Sequence, residues 1–222
     1  MEPLEALIDR VDPAWPLVER WLSAGVSDVV LVERDPKASE ATLLHMQTST
    51  HSLLGALAYE CAGVVVDSRV RVLGGGSPEV KSSLKSWNGV AGDLLPIERG
   101  MVRVGFDAFG GVFALDGGAF GKADGSVHYF APDSLSWEPL DLGHSAWVHW
   151  LLTEPDQVSK FYELLTWTDW KLDLSRLKFD QALSLTPPPW SPDHKDLVKV
   201  TRRPAPAQDV VKELFEASRK KN

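Results

Sequence analysis

Between Val102 and Glu154 four short strand-like runs, separated by Gly and Pro turns, lead straight into an amphipathic helix. This ordering constrains the fold more than any other part of the chain. Gly110 and Gly111 supply the positive φ that a hairpin demands, Asp124 with Gly125 is the strongest short hairpin signal, and Pro132 with Asp133 marks the next turn. Strands joined by such short connections are most simply neighbours in an antiparallel sheet. Residues 102 to 140 are therefore predicted to form one continuous antiparallel meander. The stretch carries glycines and aromatics in place of a nucleophile, a metal cluster or a phosphate loop.

The flanks read as helices and short strands. Asp12 and Pro13 give a cap signal ahead of Leu17, Val18, Trp21 and Leu22 at helical spacing; Val29 to Val32 is an apolar strand; Asp35 and Pro36 repeat the cap before a second helix. His51 to Gly63 leans to helix. Val64 to Val66 and Val70 to Leu73 flank a polar turn, and Gly74 to Gly76 read as a flexible turn opening a long excursion over 77 to 100 that contains Trp87. After Gly143 two helices each present one apolar stripe, which predicts burial of Trp147, Trp150, Phe161 and Leu165. Trp167 to Trp190 ends in TPPPW, too proline-dense for regular structure, and Val210, Val211, Leu214 and Phe215 mark a last helix. No internal repeat of 20 to 50 residues is present.

Charge and cysteine content narrow the partners. A net charge of −8 repels a phosphate backbone and gives no general attraction to an anionic membrane, so no nucleic acid and no membrane are expected as partners. Arg219, Lys220 and Lys221 complement a helix C-terminus. The single cysteine, Cys61, excludes an intrachain disulfide and makes a reducing cytoplasm the default location. The opening MEPLEALIDRVDPAW lacks the basic and apolar regions of a secretory signal.

Candidate chemistry is sparse. Gly121 and Lys122 fail the phosphate-loop spacing, since Asp116 stands where the first glycine belongs and Ala123 replaces the hydroxyl. His128, His144 and His149 lack metal-ligand spacing, and Cys61 beside Glu60 reads as a small core side chain. No catalytic residue, cofactor or metal is assigned. Asp107, Asp116 and Glu138 are the acids that neighbouring strands could bring together, either as an acid/base pair or as a charged contact surface. Among nine tryptophans, Trp87 and Trp190 lie in loop-like sequence and are the candidates for an exposed partner contact.

FGGVFALDGGAFG, VHYFAPDSLSWEPL, LGHSAWVHWLL and FYELLTWTDW resemble the bacterial family catalogued as domain of unknown function 2625, over nearly the whole chain from DPAWPLVERWL through RRPAP. The ordering of residues 102 to 154 is also similar in pattern to the SUKH superfamily. That second resemblance implies an α+β scaffold used for protein recognition, commonly as immunity proteins that neutralise toxins. The expected fold is α+β: a single twisted, mostly antiparallel sheet of about five or six strands, flanked by helices. Residues 1–190 are expected to form the domain, with 191–222 a Pro-rich connection and a C-terminal helix packed on it. The expected function is a non-enzymatic protein-binding module, toxin-immunity-like, with a basic toxin as the fitting partner. The alternative is an enzyme or small-ligand binder using acids near the meander.

Overall fold

The computed structural model describes residues 1–89 and 99–221. In chain order it comprises α1 (Leu4–Leu7), α2 (Trp15–Ser23), β1 (Val29–Val32), α3 (Pro36–Met46), α4 (Leu53–Glu60), β2 (Gly63–Val66), β3 (Val70–Leu73), α5 (Leu84–Asn88) and β4 (Met101–Asp107). Then follow β5 (Val112–Asp116), β6 (Ser126–Ala131), β7 (Ser136–Gly143), α6 (His144–Thr153), α7 (Pro155–Phe161), α8 (Trp170–Ser175), β8 (Gln181–Thr186), β9 (Thr201–Pro206) and α9 (Ala207–Lys221). The fold is α+β. One antiparallel sheet holds seven strands, more than the five or six expected, in the same order as the sequence from β1 to β7.

Local chemistry explains most element ends. Asp35 caps α3 by accepting the Ala38 N–H at 2.7 Å, as its place before Pro36 implies. The Asp12–Pro13 signal does not start a helix: α2 begins at Trp15, and Asp12 N–H instead donates to the Asp9 carboxylate. Asp67 and Ser68, both at positive φ, turn β2 into β3. The meander over β4 to β7 is continuous, with Gly110 at φ 90° in its first turn. Its second joint is wider than a hairpin: β5 ends at Asp116, β6 begins at Ser126, and Gly125 N–H returns to the Asp116 carbonyl.

Gly74 to Gly76 form a packed crossing rather than a flexible turn. Gly75 N–H and Gly76 N–H donate to the Cys61 and Ala62 carbonyls, and a Cβ on Gly75 would sit 2.5 Å from the Ala58 carbonyl oxygen. The absence of side chains lets the backbone pass directly beneath α4. Beyond it, the described part of the 77 to 100 excursion folds back onto the sheet; residues 90–98 of that excursion lie outside the described residues. Asn88 at the end of α5 replaces a missing strand neighbour at the irregularity in β4. Its side-chain amide donates to Arg103 O at 2.8 Å and its carbonyl accepts Arg103 N–H at 2.7 Å.

Pro187 to Pro189 stay outside regular structure, as expected, but strands form on both sides of them. β8 and β9 pair as a two-stranded ribbon joining residues on both sides of position 190. Prolines fit there because Leu183 N–H points away from β9, to Ala108 O at 2.7 Å. Pro204 opposes Leu183 and Pro206 opposes Gln181, so their missing N–H groups fall on the side that does not bond β8. α9 then lays Val210, Leu214 and Phe215 against the turn at Gly110 and against Phe130.

Of the four residues expected in the helical core, Trp147 is fully buried, Trp150 and Leu165 are half-buried, and Phe161 is 37% exposed. α7 ends at Phe161, and the inward position at that end is taken by Tyr162. Trp87 is 1% exposed and stacks on Phe106 with centroids 4.5 Å apart and planes 8° from parallel. It closes the core beneath the excursion. Replacing it by alanine should cost roughly 3 to 5 kcal/mol, read as a lowered midpoint with an unchanged slope in urea unfolding.

Candidate functional site

Three places in the fold gather functional groups. The first is the buried carboxylate at the end of β4. Asp107 has no exposed surface. Its Oδ1 accepts the N–H groups of Phe109 and Gly111, both at 2.8 Å, and its Oδ2 accepts the hydroxyls of Tyr129 at 2.7 Å and Tyr162 at 3.1 Å. Burial raises the Asp107 carboxyl above its ordinary range, against the opposing pull of the Tyr129, Phe109, Gly111 and Tyr162 donors. Burial and the neighbouring carboxylate raise both tyrosines well above their usual value. Arg71, almost wholly buried on β3, is brought down to about 10 by burial, and the charge of Asp107 supports its ionised form.

Arg69 extends the group outward. It pairs with Asp67 at 3.0 Å, and its guanidinium lies over the Trp170 ring at 3.5 Å. This assembly resembles catalytic machinery in composition. It has no access: a carboxylate with no exposed surface and four donors already on its oxygens meets no substrate. Its chemical role is to satisfy buried charge.

The second place is Asp116, 1% exposed at the end of β5. Desolvation favours its neutral form, but N–H donation from Phe120, Gly118, Lys122 and Ala123 outweighs this and holds the carboxyl at about 2. One side chain thus organises the loop to β6. The register sets Asp116 opposite Met101 at one end of the β4–β5 pair, while Asp107 lies at the other. Glu138 is exposed on β7, opposite Tyr129. The acids do not converge, and of Asp107, Asp116 and Glu138 only Glu138 presents a surface carboxylate, hydrogen-bonded to Ser134 Oγ at 2.9 Å. The burial of Asp107, Asp116 and Trp87 removes them as direct partner contacts.

The third place contains Trp190. A groove of about 260 Å³ runs between β8, the turn over Pro188, Pro189 and Trp190, and α9, floored by Phe109, Leu183 and Leu214. The half-buried Trp190 is one wall, and Glu213 is the charged residue among those lining it. A wider recess of about 660 Å³ lies at the far end of α9, lined in part by Ser134, Ser218 and Lys221. Polar groups there already pin α9 to the turn between β6 and β7: Ser218 Oγ donates to Leu135 O at 2.9 Å and Lys221 Nζ to Ser134 O at 3.2 Å. The Trp190 groove keeps its apolar walls open.

The remaining candidates are quiet. Burial pushes the Cys61 thiol up to about 12, which leaves no thiolate at neutral pH. His128 is buried and stacks on Phe120 at 4.0 Å, while His149 packs edge-on against Trp21. Among the described residues no group of three or more His, Cys, Asp or Glu side chains is placed to hold a metal ion. Nor is any helix among them long and apolar enough to cross a membrane.

Comparison with known proteins places the chain. The profile of the family described as "Protein of unknown function DUF2625" matches residues 4–210. The chain belongs to this family. It is 32% identical over 193 residues to the uncharacterized protein YbfG of Escherichia coli K12, covering 86% of each chain. It is 30% identical over 189 residues to an uncharacterized protein of Haemophilus influenzae KW20 Rd, covering 84% of this chain and 82% of the relative. No solved structure matches significantly.

In this family member Arg69, Arg71, Tyr129 and Tyr162 join the buried site without standing out in the sequence as site residues. A signal existed: Arg71 interrupts the apolar run Val70–Leu73, and a charge inside a fully buried strand demands a compensating acid nearby. Replacing Asp107 by alanine leaves two N–H groups and two hydroxyls without their acceptor and should cost about 3 to 5 kcal/mol in urea unfolding.

His144 gives a pH-dependent expectation. It is half-buried at the start of α6, its Nε2 has no hydrogen-bond partner, and burial lowers it to about 4. The unfolded chain protonates this imidazole near 6.5, the folded chain only near 4, so stability falls as pH drops through that window. Chemical unfolding across the pH range should show His144→Gln flattening this part of the curve.

Proposed function

We propose that this chain is a non-enzymatic protein-binding module whose contact site is the Trp190 groove. Its partner is a basic protein segment that seats an apolar side chain between Trp190 and α9. The observation carrying this reading is the groove itself: an open apolar trough with a tryptophan wall and an exposed carboxylate, Glu213, on its lining. Tryptophan is among the residues enriched as interface anchors in well-packed pockets. A net charge of −8 favours basic partners and speeds their encounter. The enclosure of Asp107 and the inertness of Cys61 argue against the enzyme alternative. A toxin-immunity role in the cytoplasm is the finer form of this proposal. The pattern resemblance of residues 102–154 to the SUKH superfamily supports it, with a basic toxin as the partner.

The test is selection of displayed peptides that carry one apolar anchor flanked by basic, neutral or acidic residues, followed by titration of winners against wild type, Trp190→Ala and Glu213→Lys. Basic-flanked peptides should be enriched, and each substitution should weaken binding by about tenfold or more, with affinity falling as salt rises. Enrichment of acidic peptides, or winners indifferent to both substitutions, would overturn the assignment. Turnover of a small substrate by the purified chain would replace it with the enzyme reading.

A further inference from the structure

The two edges of the seven-stranded sheet are built differently. β7 carries Pro139, exposed Glu138 and Asp141, and a register irregularity opposite β6, with Asp141 at φ 53°. Proline, charge and bulges are the usual protections of an edge against further pairing. β1 has none of these. It reads Val-Val-Leu-Val, and Val30 and Leu31 are 58% and 43% exposed.

The hydrogen bonds of β1 fix what can be added. The carbonyls of Asp28 and Val32 accept N–H groups from Asp67 and Ala62 at either end of β2, so the even-numbered residues direct their backbone groups inward. By alternation, Val29 and Leu31 direct theirs to the free side. An antiparallel copy of the same strand must then pair odd residues with odd. The blunt register that sets Val30 opposite Leu31 is forbidden by this parity.

Among the permitted registers, the one with its twofold axis at Leu31 pairs Leu31 with its own copy and Val30 with Val32. It also sets Asp28 opposite Arg34 twice, once on each side of the axis. The adjacent register, with its axis at Val30, brings neither charge pair. Asp28 is exposed, and the Arg34 side chain is 27% exposed: its contact with Glu60 is long, 4.0 Å, and its guanidinium lies over Tyr59 at 3.8 Å. We propose that two copies of this chain associate through antiparallel β1 edges in this register, forming a continuous fourteen-stranded sheet from two seven-stranded halves. A four-residue edge buries less than the roughly 1,200 Å² typical of stable complexes. The dimer is accordingly dissociable and sensitive to salt. It is independent of the Trp190 groove, which lies on other elements.

Sedimentation velocity of the full chain over a concentration series is the test. Wild type should shift from monomer to dimer as concentration rises, and high salt should reverse the shift. Asp28→Arg sets arginine against arginine at both ends and should leave monomer. The double variant Asp28→Arg with Arg34→Asp exchanges the pair and should restore the dimer, although it loses the Tyr59 contact. Leu31→Pro removes an outward N–H without touching the bonds to β2 and should give a folded monomer by circular dichroism. If that variant unfolds, the charge exchange still decides the question. Wild type that stays monomeric throughout, or a dimer indifferent to the charge reversal, overturns the proposal. Monomer that binds only an unrelated strand peptide overturns it as well.

Discussion

The carboxylate of Asp107 is the point on which this fold depends. It gathers the turn after β4 through Phe109 and Gly111, β6 through Tyr129 and the end of α7 through Tyr162. Those four donors come from segments as far apart in sequence as the first hairpin and the helical flank. A hydrophobic contact at the same spot would bring them together without fixing their mutual orientation. A hydrogen-bonded carboxylate fixes both, at the expense of burying a charge, which Arg71 on the adjacent strand offsets.

Asp116 works on the same principle at smaller scale. Its four N–H donors come from one loop, so its effect stays local. The comparison explains why two aspartates on neighbouring strands hold such different protonation tendencies. Burial dominates at Asp107, while at Asp116 the four N–H donors outweigh it. Asp180 provides a third example, accepting Lys81 and Ser82 N–H groups through its side chain and Ala207 N–H through its carbonyl. Three acids thus hold loops in place by accepting backbone N–H groups.

The meander and most helices could be read from the chain because each depends on local chemistry: positive-φ glycines, Asp35 before Pro36, apolar residues at helical spacing. Residues whose placement depends on distant segments could not. Trp87 sits in loop-like sequence, and nothing nearby announces that Phe106 waits to stack on it. The prolines of β9 fit a strand only because the direction of each absent N–H is set by the register against β8. Asp107 and Asp116 could be recognised as important acids, but their burial follows from the sheet closing over them. Of the exposed-contact candidates, Trp190 and Glu138 kept solvent access, and Trp190 alone opens onto a groove.

The spatial order of the seven strands repeats their order along the chain. Every strand of the sheet after β1 therefore finds its first partner in the strand synthesised just before it, and the sheet can lengthen by accretion while the chain is still emerging, with no early strand held open for a late one. The ribbon and α9 arrive last and cover a surface already assembled. That order leaves no interior strand waiting for a distant partner, and unpaired strand edges are what make incompletely folded chains prone to aggregate.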